Sequence, residues 1–171
     1  ALLDLYGYLD RDGDGFRELP DGKPLTIEMA TQPDQLTRKF DELWRKNLSA
    51  VGIRIVFKPA QWPENLKAIR AGKVMFWMLG SSASLPDGGP ALDRLYGPQT
   101  GSQNLARFKN AEFDRIVERM RTMPDGPERQ ALFLQAKRIA AVYMPYRYTA
   151  HRMEADMLQP WVAGYRRPTF W

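Results

Sequence analysis

The sequence predicts an α/β fold, and three observations carry that expectation. Two segments with strand-type alternation flank one with helical spacing within ~35 residues. A continuous apolar run, Val74 to Leu79, follows them, and two helix-type segments close the regular part of the chain. The first strand is Leu25, Ile27 and Met29 alternating with Thr26, Glu28 and Ala30, with Pro24 fixing its start. From Gln35 to Val51 the apolar positions Leu36, Phe40, Leu43, Trp44, Leu48 and Val51 recur at helical spacing. Pro33-Asp34 stands before this helix and Gly52 just past it, and Trp44 is expected in the core. Ile53, Ile55 and Phe57 alternate directly afterwards, so a right-handed crossover with parallel pairing follows.

Pro63 suits the first turn of a second crossover helix, Leu66 and Ile69 give it an apolar stripe, and Gly72 ends it. Val74 to Leu79 then reads as a buried central strand covered on both faces. Gly80 to Pro90, rich in glycine, proline and serine, lies at the carboxyl end of that strand, where ligand crevices of open α/β sheets form. Asn110 is placed to cap a helix carrying Phe113, Ile116, Val117 and Met120. Asp125 with Glu128 gives a capping-box pattern for a helix reaching about Tyr143, and the two helices should pack as a hairpin. Met144-Pro145 stops the second one, and Tyr146 to Trp171, with Pro160, Gly164 and Pro168, reads as an extended tail. Before all of this, Ala1 to Leu9 reads as the last turns of a short helix.

Composition narrows the function classes. The 171 residues include 25 Lys and Arg against 20 Asp and Glu, a net charge of +5, with 44% hydrophobic residues, an ordinary globular balance. No stretch approaches the ~20 apolar residues of a membrane-spanning helix. With no cysteine and one histidine, His151, thiolate and His-rich metal sites and cysteine nucleophiles are excluded. The chain opens at Ala1 on helix-like sequence, and no targeting peptide is visible, as expected of a mature form or of a segment cut from a longer protein.

Asp10, Asp12, Asp14 and Gly15 match the front of a calcium loop, whose alternate oxygen ligands and turn glycine wrap a hard cation. The match then departs, because the twelfth position is Asp21 and Pro20, Gly22 and Pro24 forbid an exit helix, so a solvated acidic turn satisfies the same residues. Basic residues alternate with acids along both long helices, as in Arg38-Lys39 near Asp41-Glu42, which is a solvated face rather than a nucleic-acid footprint. No nucleophile elbow, phosphate loop, zinc helix motif or dinucleotide fingerprint is present. Asp87 with Asp93 reads as turn and cap residues rather than an acid/base pair. Trp77, beside the serine-rich loop, offers an indole to a small-molecule crevice, with core packing as the alternative use.

The order of these features resembles a known family. Leu2-Leu3-Asp4-Leu5-Tyr6-Gly7-Tyr8, the Asp10 to Glu18 run, Val51-Gly52-Ile53, Phe57 with Trp62 and Leu66, Gly72 to Trp77, and Asn104 to Asp114 follow one another as in the carboxyl-terminal lobe of the extracytoplasmic solute-binding proteins of the oligopeptide and dipeptide type, solute-binding family 5. The resemblance covers essentially the whole chain. It implies a type II periplasmic-binding-protein lobe over residues 1–145 and a return tail, 146–171, that crosses the hinge and packs partly on a missing amino-terminal lobe. It further implies a non-catalytic receptor for an ABC permease, periplasmic or extracytoplasmic, membrane-associated only through the transporter, with no cofactor beyond the calcium alternative. The ligand would lie between lobes, and Trp77, Gly80, Ser81, Ser84, Asp87 and Gln103 are the expected contacts. Peptide-binding members set an aspartate against the peptide ammonium where this chain has Ser84, which implies either a peptide-like ligand anchored elsewhere or a neutral polar solute. An isolated lobe is expected to self-associate through its uncovered cleft face. The rival classes, a small α/β hydrolytic or transfer enzyme and a weak nucleic-acid-binding domain, have no motif in their favour.

Overall fold

The computed structural model describes residues 2–81, 88–150 and 155–167. The chain forms two compact units, Ala1–Gly80 and Ser81–Trp171. The first opens with a short helix, α1 (Leu2–Leu5), and then carries β1 (Thr26–Thr31), α2 (Gln35–Ser49), β2 (Arg54–Pro59), α3 (Trp62–Arg70) and β3 (Phe76–Trp77). The three strands form a parallel sheet in the order β2-β1-β3, with Ile27 opposite Ile55 and Ala30 opposite Trp77. Both crossovers behave as the alternation and spacing predict.

The helices of this unit start and stop for local reasons. Asp34 caps α2 by accepting the Thr37 amide at 2.9 Å. Past its end, the Gly52 amide donates to the Ser49 carbonyl and Ile53 to Leu48, a closure that needs the left-handed backbone of Gly52, φ 74°. A side chain there would also meet Arg17 Cγ at 3.1 Å. The same pair of bonds ends α3, from Gly72 to Ile69 and from Lys73 to Ala68, so each helix turns straight into the chain that forms the next strand. Arg17 holds the turn after α2 from outside, its Nε donating to the Val51 carbonyl at 2.8 Å and a guanidinium nitrogen to the Tyr8 carbonyl at 2.6 Å.

Two expectations are corrected here. Val74 to Leu79 is not a buried central strand: only Phe76 and Trp77 join the ladder, β3 pairs with β1 alone among the described residues, and Met75 is 66% exposed. Continuous apolarity speaks for burial of side chains on both faces, but it does not say which strand has two neighbours. That strand is β1, where Met29 and Thr31 are buried. The stripe of α2 is also largely uncovered, with Leu36 59% and Leu43 53% exposed. Trp44, expected in the core, packs edge-to-face on Phe76 with ring centroids 5.4 Å apart and remains partly exposed.

The second unit contains α4 (Gly89–Leu92), a single 3-10 turn at Gly97–Gln99, α5 (Ala111–Arg121) and α6 (Pro127–Tyr143). Asn110 caps α5 by accepting the Phe113 amide at 2.9 Å. Phe113, Ile116, Val117 and Met120 form one face of α5 and pack with Leu95, Tyr96 and Ala136 into a continuous core. The α6 cap differs from expectation: Gly126 holds that position, and Asp125 pairs with Arg129 one turn on at 2.9 Å. Asp93 pairs with Arg121 at 2.5 Å, whose guanidinium lies over the Tyr96 ring. Residues 155–167 carry no helix or strand, as the tail's composition predicts.

Candidate functional site

Parallel sheets expose the carboxyl ends of their strands where consecutive crossover helices part. In this sheet β1 continues into α2 and β2 returns through α3 to β3, so the ends of β1 and β3 form that position. A pocket of about 50 Å³ lies there, lined from β1 by Met29 to Thr31, from α2 by Thr37 and Asp41, from α3 by Trp62 and Asn65, and from β3 by Trp77 with Met78 beside it.

Asn65 fixes the frame. It is buried, and its Nδ2 donates to the Thr31 carbonyl at 2.7 Å and to the Ala60 carbonyl at 3.0 Å, tying α3 to the end of β1. Thr31 is 5% exposed, and its Oγ1 is buried without a completed hydrogen bond, as is Asp41 Oδ1. Burial pushes the Asp41 carboxyl above its ordinary value, opposed in part by the neighbouring Thr31 hydroxyl and by Arg45, with Asp34 adding to the rise. The Thr31 hydroxyl is thus close enough to favour the Asp41 charge without closing a well-formed bond to it. The Thr31 hydroxyl and the Asp41 carboxylate thus face each other in the pocket wall, where β1 meets α2.

Of the residues singled out from sequence, Trp77 lines this pocket. Gly80 and Ser81 follow it and are exposed, with open space around Gly80 where a side chain would stand. Ser84, Asp87 and His151 lie outside the described residues. Gln103 is exposed in the second unit, beside Asn104, which is fully buried and holds its loop by donating to the Tyr96 and Phe108 carbonyls. Thr31, Asp41 and Asn65 were not legible as site residues. Asp41 does carry a signal in retrospect: it stands three and seven residues before Trp44 and Leu48, a charge in register with an apolar stripe.

Asp10, Asp12 and Asp14 do come together, joined by Glu18, with one carboxylate oxygen from each within 4.8 Å of the others. Asp21 is not part of the group and pairs with Lys23 instead. The cluster's form follows from its own bonds. Asp10 accepts the amides of Gly13 and Gly15 at 2.7 and 2.9 Å, Asp12 that of Asp14, and Asp14 that of Phe16. Arg54 adds an ion pair to Asp14 at 2.6 Å, and Glu18 accepts the Arg11 amide. These are the bonds by which aspartates shape tight turns, and they account for the loop's geometry.

No protein-family model matches the chain. Di/tripeptide-binding protein 2 of Pseudomonas aeruginosa is 27% identical over 145 residues, 83% of this chain and 27% of its own length. The periplasmic oligopeptide-binding protein OppA of Salmonella typhimurium is 24% identical over 84% of this chain and 26% of its own. The chain therefore spans about a quarter of the length of these curated relatives. Among solved structures, the oligopeptide-binding protein AppA of Bacillus subtilis, in complex with a nonapeptide, superimposes with a TM-score of 0.72 at 22% identity, over 85% of this chain and 29% of its own. The mannohexaose-bound oligopeptide-binding protein of Thermotoga maritima gives 0.71 at 18% identity, over 84% of this chain and 28% of its own. The ordered sequence match and the superposition of the crossover units make the chain a relative of the periplasmic oligopeptide- and dipeptide-binding proteins over about a quarter of their length, with their type II fold.

Proposed function

We propose that the chain is part of the non-catalytic, solute-capturing component of an ABC importer, working in the periplasm or an equivalent extracytoplasmic space and meeting the membrane only through the permease. The observation that carries this reading is the pocket where β1 and β3 end, with two tryptophans and two unsatisfied buried polar atoms in its wall. A solute gripped by such a surface and by a second lobe favours the closed clamp by its differential affinity, with no bond made or broken. The enzyme alternative has no motif in its favour, and the chain has no cysteine and one histidine, His151. No resident cofactor or cation is included in this reading.

The relatives' names support a peptide-like or other small polar solute, since the matched proteins are described as di/tripeptide- and oligopeptide-binding and one structure holds mannohexaose. Ser84, standing where the family's peptide binders carry an aspartate, weighs against ordinary free-amine peptides anchored at that loop. A lost charge-assisted hydrogen bond is worth about 1.5–3 kcal/mol, a ten- to hundredfold weakening. Ser84→Asp should therefore raise affinity for such peptides, read by calorimetry, and an unchanged affinity contradicts the alignment of the loop. The exposed stripe of Leu36, Phe40 and Leu43 on α2 supports self-association of the chain. Light scattering should show dimers at high concentration, and a strict monomer contradicts that part.

A further inference from the structure

We propose that Asn65 is a positioning residue for solute capture: by clamping the first turn of α3 to the ends of β1 and β2, it sets where the Trp62 indole stands in the pocket wall relative to Trp77. This inference rests on the solute-capture reading above. The helix has no local means of fixing that turn. Gln61 precedes it without a side-chain cap bond, and Pro63 in the first turn brings no amide hydrogen. The hold comes instead from one turn inside, where Asn65 is buried. Its Nδ2 donates to the Thr31 carbonyl at 2.7 Å and to the Ala60 carbonyl at 3.0 Å, and the Ala60 amide donates to the same Thr31 carbonyl at 3.1 Å. Both amide hydrogens of Asn65 and both lone pairs of the Thr31 oxygen are thereby engaged, which gives the joint one arrangement rather than several.

Helical spacing carries that joint to the pocket. Trp62, Asn65 and Ile69 stand three and four residues apart on one face of α3, and all three line the pocket. Ile69, buried, anchors the inner end of that face. Trp62, at the outer end, is only half-buried, so its place depends on where the first turn is held. Trp77 belongs to β3 and pairs with Ala30 of β1, one residue before Thr31. Both tryptophans are therefore referred to the same stretch of β1, Trp77 by the strand ladder and Trp62 through Asn65. An apolar side chain of similar volume would fill the space that Asn65 occupies. What asparagine adds is two directed bonds, and a buried amide is kept at such a position only when those bonds are made.

The test compares three variants of the chain: Asn65→Leu, which keeps the volume and removes both donors; Asn65→Ser, which keeps one; and Ile55→Val, a packing loss in β2 away from the pocket lining. Indole Nε1–H resonances, assigned by replacing each tryptophan in turn, report position without a ligand, and calorimetry with trialanine and with mannohexaose reports capture. Asn65→Leu should move the Trp62 resonance, leave that of Trp44 in place, and weaken whichever probe the wild type binds by at least about tenfold, with Asn65→Ser in between. Ile55→Val should lower the denaturation midpoint yet leave the Trp62 resonance where it was and affinity within about twofold. A Trp62 resonance unmoved in both Asn65 variants, or an affinity loss that Ile55→Val matches, overturns the positioning role and leaves solute capture standing. Unfolding of both Asn65 variants makes the residue structural and does the same. Silence of the wild type toward both probes overturns the capture reading and the positioning role with it.

Discussion

The two units use their buried residues differently. In Ser81–Trp171 a single face of α5 supplies Phe113, Ile116, Val117 and Met120 to one apolar core, and the fully buried Asn104 spends its amide on two carbonyls. In Ala1–Gly80 the buried apolar residues, among those described, are Met29, Ile55 and Ile69, accompanied by the buried polar residues Glu18, Thr31 and Asn65. The contrast separates a unit held by one apolar core from a unit that buries polar side chains where its strands end.

The contrast can be broken most forcefully at Phe113. Phe113→Ala should destabilise the chain by about 3–5 kcal/mol in chemical denaturation, and a loss below about 1 kcal/mol would show that the helical pair is not the stabilising core. Asn110→Ala removes the α5 cap and should cost about 1 kcal/mol by the same measurement; no loss would mean that α5 begins without it. The smallest effect is expected at Asp41, because burial disfavours its ionised form and offsets what its contacts contribute to folding. Its carboxyl is raised by burial above the ordinary 3.8, so the folded state holds its proton more tightly than the unfolded chain does. Ionised, it costs stability, and that cost disappears as pH falls through the raised value. Asp41→Asn should therefore be at least as stable as wild type at neutral pH, with the gap closing as pH drops toward about 4. Melting curves across that range check the sign, and a gap that opens on acidification contradicts it.

Much of the fold was legible because its signals are local. Asp34 and Asn110 accept amides three residues on, and Gly52 and Gly72 close helices by left-handed turns that few other residues adopt. Strand order was not legible in the apolar run before Leu79, since burial on both faces and a partner on both edges are separate properties. Gly126 rather than Asp125 stands at the α6 cap, and the aspartate pairs instead with Arg129 one turn on. The site was half legible. Trp77 was found from its place before the loop, but Thr31 and Asp41 stand ten positions apart on a strand and a helix. Only the turn between β1 and α2 brings them to one pocket, and in the sequence Asp41 reads as part of a solvated face.

The central claim is that the strand-end surface of the first unit holds a solute and leaves it unchanged. The most direct measurement adds a panel of short peptides, amines and sugars to the chain, follows the Trp62 and Trp77 indole resonances, and analyses the recovered solutes by mass spectrometry. At least one solute should shift both indoles saturably and be recovered intact. Binding that leaves both indoles untouched, or recovery of a converted product, would contradict the account.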